Sequence, residues 1–453
     1  MSLVFAWWVL AFVFAVSHGF YSALGVWLLV VAAGAVYLPP RSLSAGRAQY
    51  ELALWGAALL GGVVTLLATV LGRGLRHHVA WTEPWIGGAQ LLMVMAILAY
   101  ARPVRAVLPT WAARYRFPAV VGAAGVTGLF AIAGAPDPNI DVFNFLNEGA
   151  AGLLQGQNPY AMQFTPPHYK PIDPAYHFDV YSYLPGTLLL TIPSVPLRDV
   201  RWVMLVAALL SALLMRALCL RLLVSEDSAE LVAVAFLAYP GLLLVLEKSW
   251  PEPLTVCLWL AALWTQLGAR CSWATGLSGL FLSVKQYNPP LLLPVLTAGM
   301  GRMGVIVSFL VPLVLCGPFI IWGPKDFWWD AFWFQVQHPA FGHSLSLNAY
   351  LLNEGRGFIP GWLSIGAPIV GAAYAAWVLR KRWEVAESLR LTVGFYFLLF
   401  LFNKFAFPNY YFLLQTVLLV AIVAVVGQAK DTRPPADALT SAASAADRSS
   451  KPR

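Results

Sequence analysis

Charge is scarce in this chain of 453 residues: 11% are Asp, Glu, Lys or Arg, while 59% are hydrophobic. A soluble globular protein carries about 25% charged residues, so a soluble fold is excluded. Cysteine is scarcer still. Cys219, Cys257, Cys271 and Cys316 lie in or beside apolar runs without metal-ligand spacing, and they read as small hydrophobes in helix packing. The apolar stretches are continuous rather than alternating, which argues against membrane-spanning strands. The N-terminus lacks a basic region and a small-residue cleavage site, so 3–16 reads as a retained span rather than a signal peptide. No internal repeat is visible, which disfavours a transporter assembled from inverted halves. The net charge of +8 does not point to nucleic acid, because the arginines sit in short clusters between apolar runs.

Long apolar runs are what the chain does have. Crossing ~30 Å of hydrocarbon takes about 20 residues. Runs near that length occur at 20–38, 51–71, 85–101, 118–134, 228–246, 251–268, 303–322, 358–379 and 408–427. Shorter ones lie at 3–16, 183–197, 201–222, 272–284, 287–300 and 391–402. The expected fold is an all-α polytopic membrane protein, a bundle of about 12–14 transmembrane helices with juxtamembrane helices outside it. Residues 1–117 form accessory spans, 118–427 carry the polar constellations, and 428–453 read as a disordered cytoplasmic tail.

Arginine clusters set the expected topology. Arg380, Lys381 and Arg382, and the acid-free segment 102–116 with Arg102, Arg105, Arg114 and Arg116, should both be cytoplasmic. The loops 135–182 and 323–357 then face outward. The two anchors agree only if 183–222 crosses an odd number of times, although the segment looks like two helices broken around Pro193, Pro196 and Arg198. Arg73 and Arg76 fall outside on this count, against the charge rule.

The first outer loop concentrates polar chemistry: Asp137, Asp141, Glu148, Asp173 and Asp179 lie in or beside it, with Tyr160, Tyr169, Tyr176, Tyr181, Tyr183, His168, Lys170 and His177. Asp137-Pro138 reads as a helix start, Asp as cap and Pro in the first turn. The helix would run to about Gln155 and end at Gly156, as an amphipathic segment at the membrane surface. Asn158-Pro159-Tyr160 reads as a turn that shapes a pocket floor. The second loop holds His338, His343, Ser344, Ser346, Asn348 and Arg356 behind an aromatic group of Trp322, Trp328, Trp329 and Trp333. His338 and His343 lack helical metal spacing and a third ligand, so no metal is expected.

The triplet Asp141-Val142-Phe143, the stretch Ala150 to Tyr160 ending in Gly-Gln-Asn-Pro-Tyr, Tyr183-Leu184-Pro185-Gly186, and Lys285-Gln286-Tyr287-Asn288-Pro289 together resemble a known pattern. The chain is similar to the GT-C class of membrane glycosyltransferases, in the branch of polyprenyl-phosphomannose-dependent mannosyltransferases and arabinofuranosyltransferases. Gly186 stands where that family has a second Pro, Glu247-Lys248 where relatives often have Gly-Gln, and 1–117 lie outside the match. The resemblance implies an inverting transfer of a sugar, mannose by default, from a polyprenyl phosphate to a lipid-linked or cell-envelope glycan. That would occur at the outer face of a bacterial plasma membrane, without a cofactor. Asp141 would be the base. Glu148 would hydrogen-bond a sugar hydroxyl, and Asn158, Tyr160 and Tyr183 would shape the pocket. Lys285, His338, His343, Asn348, Arg356 and Lys404 would be donors to phosphate or sugar. Rival readings are a transporter or lipid flippase, and an envelope polysaccharide polymerase or ligase.

Overall fold

The computed structural model describes residues 2–38, 47–71, 79–168, 180–222 and 224–431. Arg73, Arg76, Tyr169, Lys170, Asp173, Tyr176, His177, Asp179 and the tail beyond Asp431 lie outside them. All regular structure among the described residues is helical. The apolar runs fold as α1 (Ser2–Ser17), α2 (Ala23–Tyr37), α3 (Arg47–Val70) and α4 (Glu83–Leu98), followed by the short α5 (Arg102–Val107) and the long α6 (Thr110–Gly134). α7 (Asp141–Leu154) and α8 (Pro185–Thr191) belong to the first polar loop and its exit. They lead to α9 (Arg201–Arg221), α10 (Glu226–Leu237), α11 (Leu242–Glu247), α12 (Glu252–Leu267), α13 (Cys271–Leu282), α14 (Leu292–Thr297) and α15 (Arg302–Trp322). The second polar loop carries α16 (Pro324–Trp328), α17 (Phe334–Gln337) and α18 (Leu347–Asn353), and the chain closes with α19 (Gly361–Leu379), α20 (Val385–Leu401) and α21 (Pro408–Asp431). The last helix thus reaches into the segment expected to be disordered.

Six of these helices, α3, α6, α9, α15, α19 and α21, are long and apolar enough to cross a membrane. That is fewer full-length spans than the apolar runs suggest, and proline is one reason. Run 228–246 divides into α10 and α11 at Tyr239-Pro240-Gly241, where Pro240 cannot donate to a helical ladder. Run 287–300 opens on Pro289-Pro290 in a 3-10 turn and leaves only α14. α15 leaves Leu313, Val314 and Ile321 exposed, the surface a lipid-facing helix presents.

Ion pairs collect at one face of the bundle. Arg116 bonds to Asp227 and Glu230, Arg105 to Asp227, and Arg216 to Glu226 and Glu230. The segment 102–116 therefore sits beside the end of α9 and the start of α10. The polar loops gather at the opposite face. There Val200 N–H donates to Asn147 Oδ1 at 3.0 Å, and the fully buried Arg201 donates to the Ile132 carbonyl at 3.2 Å and pairs with Asp199 at 2.6 Å.

Tyr183, just before α8, packs against Phe145 of α7 with ring centroids 5.3 Å apart. Both ends of 185–197 therefore lie at the loop face. Between 183 and 222, α9 is the one helix long and apolar enough to cross a membrane, and 185–197 forms a shorter apolar segment.

Residues 1–117 and 118–427 share one hydrophobic core. Trp7 donates to Gln415 across it at 3.3 Å, and Tyr100 donates to Glu230 at 2.9 Å.

Candidate functional site

The helix that carries Asp141 begins later than its sequence suggests. Asp137 is not its cap: Oδ1 accepts from Asn139 N–H at 3.1 Å, and Oδ2 pairs with His168 at 2.9 Å. Asn139 turns the chain with φ +47°, Ile140 is extended, and α7 starts at Asp141. The carboxylate stands in the first turn, at the positive end of the helix dipole, and Oδ1 accepts from Val142 N–H at 2.9 Å. Val142, Phe145, Leu146, Gly149 and Ala150 form the buried stripe that fixes the helix's roll. Gly156 N–H donates to the Leu153 carbonyl at 3.0 Å and Gln157 N–H to the Gly152 carbonyl at 2.9 Å. With Gly156 at φ +78°, these bonds form a glycine-dependent C-terminal cap.

A cavity of about 510 Å³ opens at the loop face. Asp141, Tyr183, Lys285, His338 and His343 all line it, with Trp250, Phe334, Gln335, Phe341, Phe405, Phe407, Asn409 and Tyr410. Phe20 and Tyr21, from the turn between α1 and α2, complete the wall, and Tyr21 N–H donates to the His343 carbonyl at 3.0 Å. The first segment of the chain thus contributes to the same cavity.

Lys285 sits in the turn after α13, 2% exposed, with Nζ 2.6 Å from Glu252 Oε1. Its ammonium lies over the Tyr183 ring at 4.3 Å, with Tyr287 at 5.3 Å and Tyr410 at 5.7 Å. Burial lowers the Lys285 pKa, and Glu252 opposes the shift. Glu252 is fully buried, and Oε1 also accepts from the Tyr287 hydroxyl and from Asn409 Nδ2 at 2.7 Å. Burial holds the Tyr183 and Tyr287 phenols well above their ordinary pKa, with Glu252 adding to the effect.

Neighbouring segments clamp this turn. Gln286 Nε2 bonds to the Ser182 carbonyl at 3.0 Å and the Ala331 carbonyl at 2.6 Å. Gly186 N–H donates to the Ser283 carbonyl at 2.9 Å. A Cβ at Gly186 would stand 2.5 Å from that oxygen, and a proline would lack the N–H. The glycine at position 186 therefore has a local cause. Lys248, before Ser249 with its φ of +57°, donates to the Pro138 carbonyl at 2.7 Å. The segment 247–252 thereby holds both the approach to Asp141 and the Lys285 turn.

Other sequence-derived candidates stand away from the cavity lining. Glu148 accepts from Thr165 N–H at 3.0 Å. Asn158 accepts from Tyr160 N–H at 3.1 Å and closes the expected turn, while the Tyr160 hydroxyl donates to the Tyr183 carbonyl at 2.8 Å. Asn348 is 2% exposed and spends its amide on the carbonyls of Phe402 and Asn403 and on Ile359 N–H. Lys404, its pKa lowered by burial, grips the Val336 carbonyl at 2.5 Å and the His338 carbonyl at 3.2 Å. Arg356 is exposed and does not line the cavity. These contacts shape the site from behind.

Sequence reasoning missed Glu252, Asn409 and Trp250 as parts of the site. The signal for Glu252 was its place in the first turn of an apolar helix, where an ionisable residue is a functional candidate by default. Among the described residues, no three His, Cys, Asp or Glu stand together as a metal-binding group. Compared with protein-family models and with curated proteins, the chain matches none.

Proposed function

We propose that the protein is an inverting glycosyltransferase of the GT-C type, taking a sugar from a polyprenyl phosphate at the outer face of the membrane. One observation carries this reading: the Asp141 carboxylate shares a cavity with the Lys285 ammonium and two histidines, within aromatic walls. A sugar bound to phosphate already has a good leaving group. The acceptor hydroxyl attacks C1 from the face opposite the phosphate while Asp141 takes its proton. The new C1–O bond forms as the C1–O bond to phosphate breaks, and the bonding pair leaves with the phosphate.

Lys285 is the cation for the developing charge. One of its three N–H donors is given to Glu252, and the side chain still borders the cavity. His338 and His343 also line the cavity, and His338, with Nδ1 engaged by the Pro339 carbonyl, has Nε2 as a further ring nitrogen. The aromatic residues offer faces to sugar rings and to the first isoprene units. All the lining residues come from segments at the loop face, which favours an enzyme open to one side over a transporter with a central path.

The test is transfer of labelled mannose from polyprenyl-phosphomannose by the purified protein in liposomes, with a panel of glycolipid acceptors. Asp141→Asn should cut turnover by roughly 10²–10⁴-fold, the range for loss of a general base, with unchanged thermal stability. Wild-type turnover in that variant sinks the mechanism. Transfer only from a diphosphate-linked donor moves the protein to the polymerase or ligase class.

A further inference from the structure

A second polar cluster lies inside the bundle, away from the transfer site. Gln90 of α4 is fully buried, and neither its amide nitrogen nor its amide oxygen has a hydrogen-bond partner. The hydroxyls of Thr127 on α6 and Tyr239 at the α10–α11 break are also buried without partners. Gln90 and Thr127 line one small cavity, with Thr65 and Met93 beside them and Leu242, Leu243 and Leu246 of α11 on its wall, whereas the Tyr239 ring packs against Phe14 and Phe412.

Polar groups withdrawn from water are costly unless they are bonded, and a membrane bundle supplies no bulk water to do it. The cavity leaves about 20 Å³ for the centres of water molecules. One water needs roughly 10–15 Å³ by that measure and makes about two to four bonds. We infer that this cavity is a structural water site, in which one or two waters bridge Gln90 and Thr127. The ligand class follows from the donor set. A hydroxyl and a carboxamide both donate and accept, carry no charge, and border a space of water size. The waters join α4 to α6 against the wall formed by α11, and α11 ends just before Lys248, which holds the approach to Asp141.

X-ray hydroxyl-radical footprinting with mass spectrometry tests this on the full-length protein, because radicals form from bound water where it sits. Met93 borders the cavity at 3% exposure, whereas Met215 is fully buried in the core and away from it. Met93 should be oxidised several-fold faster than Met215. In the double variant Gln90→Leu with Thr127→Val, its rate should fall to that of Met215, and Thr127→Val alone should give a partial fall if the double variant misfolds. Equal rates for Met93 and Met215 in the wild type overturn the site. So does a fast Met93 that neither variant slows, since bulk radicals are then reaching it directly. Neither result depends on the transfer reaction.

Discussion

The Lys285 ammonium stands 2.6 Å from one oxygen of the fully buried Glu252 carboxylate, while the other oxygen has no donor. Three donors converge on a single oxygen, from Lys285, Tyr287 and Asn409. The pair thus fixes the lysine at the cavity wall and leaves the carboxylate under-satisfied behind it.

Breaking that pair from either side leaves a buried charge alone, which costs about 3–5 kcal/mol. Glu252→Gln and Lys285→Met should each lower the melting temperature in detergent. The double variant should lose less than the sum of the two, with a coupling of roughly 0.5–3 kcal/mol. Strictly additive losses would mean that the pair carries no coupling.

Gly186 makes a second prediction. The Cβ of Gly186→Ala would meet the Ser283 carbonyl at 2.5 Å and push the turn that holds Lys285. Overpacking of this kind costs about 1–3 kcal/mol. The variant should melt earlier and turn over more slowly. An alanine at nearby Gly156, where open space surrounds the glycine, should cost stability through its φ of +78° yet leave turnover nearly intact.

Tyr160→Phe removes the hydroxyl that donates to the Tyr183 carbonyl at 2.8 Å. The buried carbonyl loses its donor, at a cost of about 1–3 kcal/mol. Because Tyr160 supports Tyr183 from behind, the apparent donor KM should stay within about twofold of wild type while the melting temperature falls, a split that the loss of a sugar contact would not produce.

Alkaline pH supplies a fourth. Tyr160, Tyr181, Tyr183 and Tyr287 have pKa values raised well above 10.0 by burial. Above pH 10 the unfolded chain releases phenolic protons that the native state keeps, so stability present below pH 10 is lost as pH rises. Lys285 works in the opposite sense, because its lowered pKa favours the native state as pH rises toward 10.5. Lys404, its pKa also lowered by burial, acts with Lys285, and four phenols outweigh the two ammoniums. Melting temperatures from pH 9 to 11.5, followed with phenolate absorbance, should fall above pH 10. A rise there would show that the lysines dominate.

Much of the helical framework was legible in the chain. The apolar runs mark the helices because hydrocarbon tolerates little else, and 183–222 was visible in advance as a parity problem set by the arginine clusters. Asp141, Lys285 and the histidine loop were legible as polar residues between runs. Glu252 was not, because its partners come from 33 and 157 residues along the chain and no local pattern announces them. Asp137 misled for a related reason: a good capping residue was claimed instead by His168 and Asn139.

The segment 185–197 also bears on how the chain is built into a membrane. A stretch that returns to the face it left moves nothing across, so the insertion machinery would have to release it without counting it as a stop. Reporters fused after residue 168 and after residue 199 would then register the same compartment, and one fused after residue 222 the other. If 185–197 does not cross, the sidedness of every later helix, and of the wall that carries Lys285, would follow from that one turn.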